Sequence, residues 1–470
     1  MWSEDPKRIW TSPHSYSPTV SRRFPALHTV IIGAGEVGLN TARMLSHEGH
    51  DVVLVEKDER LVEQATEELD ALVIAGNGAN PKLLKEAGIK SSDLLVAASN
   101  SDEVNIIACL AAKAQGVSGT VARIHNPDYY EPGEPFAREM LGIDFIIHTE
   151  QMAALEIKEA LLVPGAINVE SFAEDTIEVA EVILDEGSEA VGRAIRDVRL
   201  PDDSLIVGVV RAGEALVPRG GTVLERRDHV LLISARRQIS EAVGVLATDT
   251  APVREVTIYG GGRIGLRLAL SLEKAGMSVR VIERDEGRAR YVASQLRRGF
   301  VLHDEGISRD FLLQEGVDRT DAFVAVTGDD RANLLAAMYA RQLGARMTIA
   351  GVSRGEFAPL ADALGVDLTI SPRMLAAEAI LRFVRKGEVI DVALLESGAE
   401  MIELRVPERC RVAGRPLSEV GFPEGAIVGA LLRDGAVVIP TGKEVLRPGD
   451  DAVVFTVEDA VEEVENLFAT

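Results

Sequence analysis

Two stretches of this 470-residue chain have the residue types and spacing to hold a phosphate. Residues 30–45 read VIIGAGEVGLNTARML and residues 257–272 read TIYGGGRIGLRLALSL, with their glycines 227 positions apart. In the first, Gly33-Ala34-Gly35-Glu36-Val37-Gly38 follows a short apolar run and opens a helical pattern, the context a dinucleotide fingerprint requires. Gly33 permits a tight turn, a side chain at Gly35 would collide with an incoming phosphate, and Gly38 lets the helix press on its strand. Free N–H groups and the positive end of the helix dipole then attract the phosphates. No Gly-Lys-Ser/Thr follows, so the loop is not a P-loop.

Glu56 ends the next apolar run, 18 residues after Gly38. Its carboxylate can accept hydrogen bonds from both ribose hydroxyls and would repel a 2′-phosphate, favouring NAD(H) or an adenosine nucleotide over NADP. The second loop, Gly260-Gly261-Gly262-Arg263-Ile264-Gly265, has Glu283 at the matching place. One partner differs. Arg123, in VARIHN, is placed to neutralise a phosphate, and the aligned position in IAGVSR is Gly351. Losing a charge-assisted hydrogen bond costs about 1–3 kcal/mol, so the second site is expected to be weaker, different or empty.

The elements around these loops follow from the hydrophobic period. Strands are predicted at residues 28–32, 50–55, 71–75, 94–98, 120–124 and 145–147, and helices after the glycines and at 61–69, 81–87, 103–113 and 135–140. Such alternation predicts a parallel sheet covered on both faces. From about Asn168 the texture changes to strands at 176–184, 205–210 and 230–233, with a hairpin turn at Arg211-Ala212-Gly213-Glu214. The cycle then repeats. LLKEAGIKSSDLLVAAS (83–99) matches FLLQEGVDRTDAFVAVT (311–327), and Asn77 falls on Asp304. Gly192, Arg211, Gly213 and Pro218 fall on Gly414, Arg433, Gly435 and Pro440. The fold class is therefore α/β: two tandem Rossmann-like lobes (28–150 and 254–372). Each is followed by a crossover helix and a small α+β lobe (151–250 and 373–470).

Composition narrows the partners. The net charge of -24 repels nucleic acid and anionic lipid, so no nucleic-acid partner is expected, and the acidity reads as solvation of helix faces. Aromatic content of 4% implies aliphatic cores. Two cysteines, Cys109 and Cys410, far apart, argue for a reducing compartment and against a disulfide or metal framework. No apolar run approaches the ~18 residues of a membrane helix. Residues 1–27 lack a secretory apolar core and are expected to be a disordered extension, or a start codon placed too early. Other motifs are set aside. Gly351-Val352-Ser353-Arg354-Gly355 matches a hydrolase elbow, but no histidine follows His303. His47 and His50 lack the metalloprotease spacing and read as surface histidines. Asp128, Glu131 and Glu134, and the run 458–465, read as solvated acids.

The paired loops, VAASNSDEVN (96–105), VARIHNPDY (121–129), IVGVVRAGEALVP and IVGALLRDGAVVIP together resemble the TrkA family, the cytosolic nucleotide-binding subunits of bacterial Trk-type potassium uptake systems. The small lobes are similar to the C-terminal lobes of RCK (regulator of potassium conductance) domains. The resemblance spans about residues 28–470. It implies a non-catalytic regulator that binds NAD(H), with ATP or ADP as alternative occupants of the same sites. It also implies a homo-oligomeric ring, such as a tetramer, beneath a TrkH/TrkG-like membrane potassium-translocating subunit. It places the protein in the cytoplasm, peripheral to the inner membrane. By matching motifs, Gly33, Ala34, Gly35, Glu36, Val37, Gly38, Glu56, Asn77, Ser99, Asn100 and Arg123 would line the first site. Gly260, Gly261, Gly262, Arg263, Ile264, Gly265, Glu283, Thr327 and Gly328 would line the second. Asn77-Gly78 departs from the acidic pair common in related lobes. The rival class is an NAD-dependent oxidoreductase, which needs an acid–base group, often a histidine, on a sizeable second domain. Here each small lobe has about eighty residues, the first carrying His229 and the second no histidine.

Overall fold

The computed structural model describes residues 26–47, 49–126, 129, 140–248, 250–304, 308–353, 357–384, 389–394 and 398–469. Residues 1–25, the helix expected at 135–139, the loop acids Asp128, Glu131 and Glu134, and Arg354 and Gly355 lie outside them.

Apolar β-branched runs form the first sheet: β1 (His28–Ile32), β2 (Asp51–Glu56), β3 (Leu72–Ala75), β4 (Leu94–Ala97), β5 (Gly119–Arg123) and β6 (Phe145–Ile147). Every pairing is parallel, in the order β3-β2-β1-β4-β5-β6. Chain direction across the sheet reverses between β1 and β4, which opens a crevice at the carboxyl ends of these strands. The covering helices are α1 (Glu36–His47), α2 (Glu59–Glu68), α3 (Pro81–Glu86) and α4 (Asp102–Ala114). Asp58, Asn80 and Ser101 cap α2, α3 and α4 by accepting from first-turn N–H groups.

After the crossover helix α5 (Thr149–Leu162), a small antiparallel sheet of order β10-β9-β11-β8-β7 is built from β7 (Asn168–Phe172), β8 (Ile177–Ile183), β9 (Ser204–Arg211), β10 (Glu214–Leu216) and β11 (His229–Ala235). Helix α6 (Ile239–Leu246) covers it. Ala212 and Gly213, at φ 53° and 85°, form the two-residue hairpin turn whose twist suits the flanking strands. Asp434 and Gly435 repeat it at φ 50° and 78°.

The second parallel sheet runs β14-β13-β12-β15-β16-β17. Its strands are β12 (Glu255–Tyr259), β13 (Ser278–Glu283), β14 (Phe300–His303), β15 (Ala322–Ala325), β16 (Met347–Gly351) and β17 (Leu368–Ile370). Its helices are α7 (Arg263–Lys274), α8 (Glu286–Gln295), α9 (Arg309–Gln314), α10 (Asp330–Leu343) and α11 (Ala358–Ala363). A second crossover helix, α12 (Pro372–Val384), leads to β18 (Val389–Leu394), β19 (Glu400–Arg405), β20 (Ala426–Arg433), β21 (Ala436–Val438) and β22 (Asp451–Thr456), with α13 (Leu417–Val420) and α14 (Val461–Phe468).

The two halves exchange their crossover helices. Ala153, Ala154, Ile157 and Leu161 of α5 pack into the core of the second parallel lobe, beside Ile258 and Leu268. Ala376, Ile380 and Leu381 of α12 pack into the first, beside Ile31 and Leu45. Phe383 stacks on Phe145 of β6 with ring centroids 5.4 Å apart. The small lobes also meet: Ile177, Val207 and Ile233 share a core with Met401, Ala430 and Phe455. Glu403 accepts a 3.0 Å hydrogen bond from the Ala173 N–H across that seam.

One sequence reading needs correction. His50 is not a surface histidine: it is 7% exposed, and its Nδ1 accepts from the Leu27 N–H at 3.2 Å. His47 is exposed, as are Glu458, Glu462 and Glu463.

Candidate functional site: two glycine-loop cradles

Each cradle sits where chain direction across its parallel sheet reverses. Gly33 has φ 99°, and a Cβ there would lie 2.9 Å from the Ser99 backbone. The turn therefore needs glycine twice over, for its conformation and for the close approach of the loop after β4. A Cβ on Gly38 would sit 1.9 Å from the Gly33 carbonyl oxygen, so the start of α1 is pressed onto its own strand. Gly35 is different: a Cβ there meets nothing within 4 Å, so this glycine leaves open space over the first turn of α1. The second loop repeats each feature. Gly260 has φ 110° with Thr327 at 2.9 Å, Gly265 would strike the Gly260 oxygen at 1.9 Å, and Gly262 faces open space.

Glu56 is 8% exposed and turned inward. Its Oε2 accepts from the Ala34 N–H at 2.6 Å, and its Oε1 accepts from the N–H groups of Lys57 and Asp58 at 2.7 and 2.9 Å. A carboxylate has about four acceptor positions, so roughly one remains for a ligand. Glu283 accepts from Gly261 at 2.8 Å and Asp285 at 2.9 Å, which leaves it freer. The carboxylate thus also ties the glycine loop to the end of the second strand, a role the sequence reading did not assign.

Ser99, at the end of β4, and Arg123, at the end of β5, are joined by a residue the sequence reading did not single out. Asn105 is fully buried. Its Oδ1 accepts from the Ser99 N–H (3.0 Å) and Oγ (2.7 Å), and its Nδ2 donates to the carbonyls of Ser99 (3.0 Å) and Arg123 (2.7 Å). Asn333 repeats the clamp between Thr327 and the Gly351 carbonyl. The signal was present: an asparagine stands six residues after Ser99 and after Thr327 in both copies.

Not every predicted residue points a side chain at the cradle. Val37 is 2% exposed in the core, and Ile264 packs on the second core, so both contribute backbone alone. Asn77 is exposed and its Oδ1 accepts from the Ala79 N–H, serving its own turn. Asn100 is exposed beyond β4, and Gly328 has open space around it.

The cradles face a charged seam between the halves. Arg123 has a buried Nε with no hydrogen bond among the described residues. Burial, above all, holds its pKa below the usual guanidinium value, opposed by Glu150 and reinforced by Arg373. Arg373, at the start of α12, pairs with Glu36 of the first loop at 3.3 Å. Arg263, of the second loop, pairs with Glu150 at the start of α5 at 3.4 Å. Arg267 donates to Gln151 at 3.3 Å. Burial would raise the Glu150 carboxyl, but hydrogen bonds from its own backbone N–H and from Thr149, with His125 and Arg123 nearby, bring it below the usual value. Each loop is thus bridged to the crossover helix of the other half, with the charges inverted between the two.

Parallel sheets with glycine-loop cradles, each followed by a small antiparallel lobe and occurring twice in one chain, define tandem RCK domains. TrkA-N domain models match residues 29–149 and 256–372, and TrkA-C domain models match residues 179–246 and 401–469. A Trk system potassium uptake protein TrkA homolog of Methanosarcina mazei is 34% identical over 451 residues, covering 94% of this chain and all of that protein. The Trk system potassium uptake protein TrkA of Haemophilus influenzae is 33% identical over 449 residues, covering 93% and 98%. The chain belongs to the TrkA family of potassium uptake proteins. Among solved structures, the GsuK channel bound to NAD superposes with a TM-score of 0.61 at 19% identity, over 97% of this chain and 81% of that one, a likeness of fold.

Proposed function

We propose that this chain is a nucleotide-responsive regulatory subunit that adjusts a membrane potassium-translocating partner. The observation that carries this reading is the placement of both cradles on the seam between halves. A ligand over the first turn of α1 would touch Glu36, and through its ion pair Arg373 on the helix that packs the two halves together. Occupancy then changes the relative stability of two shapes, which is what a regulator needs.

The first cradle, formed by Gly33–Gly38 with Glu56, Ser99 and Arg123, would take an adenine nucleotide. Its ribose-reading carboxylate disfavours NADP and suits NAD(H), ADP and ATP alike, which share the same adenosine; the NAD that the GsuK channel binds favours NAD(H). The second cradle, which has Gly351 where the first has Arg123, would bind more weakly. Residues 1–27, the two parallel lobes at 28–150 and 254–372, and the crossover-and-small-lobe units at 151–250 and 373–470 are the proposed divisions. Assembly into a homotetrameric ring beneath a TrkH/TrkG-like subunit, in the cytoplasm at the inner membrane, completes the proposal. Among the described residues no helix is long and apolar enough to cross a membrane.

A regulator is preferred to an oxidoreductase because each small sheet has one apolar face covered by its own helix and the other packed on the other small lobe, so that neither faces a cradle. The test has two arms. Detergent extracts of cells expressing the tagged chain should yield a potassium-translocating subunit, and adding nucleotide should change potassium uptake in wild type but not in Glu56→Ala. Substrate-dependent oxidation or reduction of NAD(H) by the purified chain would overturn the proposal.

A further inference from the structure

We infer that Arg373, carried on the crossover helix of the second half, is a phosphate-recognition residue of the first cradle, where it is shared between Glu36 and the nucleotide's phosphates. This inference rests on the nucleotide reading above and names the residue that would read phosphate charge.

The argument starts from Glu36. It is the first residue of α1, next to the open space over Gly35, and the first N–H groups of a helix have no partner within it. A carboxylate there is favoured by the helix dipole, yet a phosphate arriving at the same N–H groups is a competing anion. Left alone, Glu36 would oppose nucleotide binding. It is not left alone: the Arg373 guanidinium stands 3.3 Å from its Oε1, with Arg373 about one-third exposed. A guanidinium that reaches the carboxylate of the first helical residue is within a side chain's swing of an anion bound on that same turn. Arginine, with five donors in a planar fork, suits a phosphate as well as a carboxylate.

A second observation supports it. Arg123, the cradle's own cation, is close enough to Arg373 to feel its charge and has a buried Nε without a partner. Three guanidiniums within reach of each other's charge, Arg123, Arg373 and Arg263, the first with an unused donor, make a site for an anion of more than one charge. The second cradle inverts the arrangement: the loop carries the cation, Arg263, and the other half supplies the acid, Glu150. Phosphate recognition by a residue imported from the other half therefore belongs to the first cradle.

When phosphate draws Arg373 from Glu36, the ion pair that ties α12 to the first glycine loop is exchanged for one through the ligand. A nucleotide with more phosphates then holds α12 to the first lobe more firmly.

The test is calorimetric titration of the full-length chain with adenosine, ADP and ATP. Wild type should bind more tightly as phosphates are added. Arg373→Ala should weaken ATP at least tenfold and leave adenosine within twofold, and Arg373→Lys should fall between. Glu36→Gln should tighten ATP several-fold, a gain that misfolding cannot produce. In Glu36→Ala/Arg373→Ala, ATP should remain weaker than in wild type, because a phosphate contact is lost along with the shielding of Glu36. Full recovery in the double variant, or equal losses for ATP and adenosine in Arg373→Ala, would overturn the inference while leaving the nucleotide reading intact. Absence of binding by wild type would instead overturn the nucleotide reading, and this inference with it.

Discussion

At the residue scale the cradle separates positions that build it from positions that leave room for a ligand. Gly35 and Gly262 touch nothing where a side chain would begin. Gly35→Asp should therefore fold with an unchanged melting temperature and lose nucleotide binding; retained binding in calorimetry would show that the ligand sits elsewhere. Asn105 belongs to the other class. Asn105→Ala would orphan the buried groups it now pairs at Ser99 and Arg123, and chemical denaturation should report a loss of about 2–3 kcal/mol. The glycines were legible because such a loop constrains residue type within one turn, and Glu56 because it ends the next apolar run at a fixed place after them. Asn105 was not singled out, because its meaning depends on two strand ends 18 residues or more apart in sequence meeting in space. His50 was misread for the same reason: nothing nearby in sequence announces that its ring accepts from Leu27.

At the element scale, the parallel and antiparallel sheets were readable from the apolar period, and most boundaries shifted by one or two residues. Strand β7 was missed, since NVESF is short and half polar. The exchange of crossover helices was invisible. An amphipathic helix shows that it has an apolar face but does not name the lobe that receives it. The exchange has a measurable consequence. Ile157→Ala should destabilise the second parallel lobe and Ile380→Ala the first, each by about 2–5 kcal/mol for a buried aliphatic truncation. Hydrogen exchange should show the loss in β12 for the former and in β1 for the latter; faster exchange in the helix's own half alone would contradict the packing.

The contact of α5 with α12 also carries a pH dependence. Burial first, then the charge of Glu170, pushes the Glu156 carboxyl up to about 8 and that of Glu378 up to about 7, with Arg382 opposing. Arg382 also lies 3.7 Å from both Glu170 and Asp391, and Glu159 adds further negative charge toward Glu156. Carboxyls whose folded pKa lies above the unfolded value bind more protons when folded. Their contribution is fully present below the unfolded value near 4.5 and is lost as pH rises towards 8. Glu156→Gln should therefore melt near wild type at pH 5 and above it at pH 8. A difference that does not change with pH would contradict the assignment.

At the scale of the whole molecule, one chain holds what amounts to a pseudo-symmetric dimer, interlocked by exchanged helices and a shared small-lobe core, with a cradle in each half. Duplication lets the halves diverge while keeping the interlock. The second copy has Gly351 where the first has Arg123, and the loop-to-helix ion pairs carry opposite charges in the two. A ligand that moves a two-state switch from 1:99 to 99:1 must favour one state by about 5.5 kcal/mol, a preference that the first cradles of the proposed ring could supply jointly. The central claim is that the first cradle is the tight nucleotide site of this chain, the second being weaker, and that binding at the first is what the seam responds to. Calorimetric stoichiometry with NADH, ADP and ATP, for wild type, Gly35→Asp and Gly262→Asp, tests this most directly. The account predicts one tight site per chain, abolished by Gly35→Asp and kept by Gly262→Asp. Two equal sites per chain, or tight binding that survives Gly35→Asp, would contradict it.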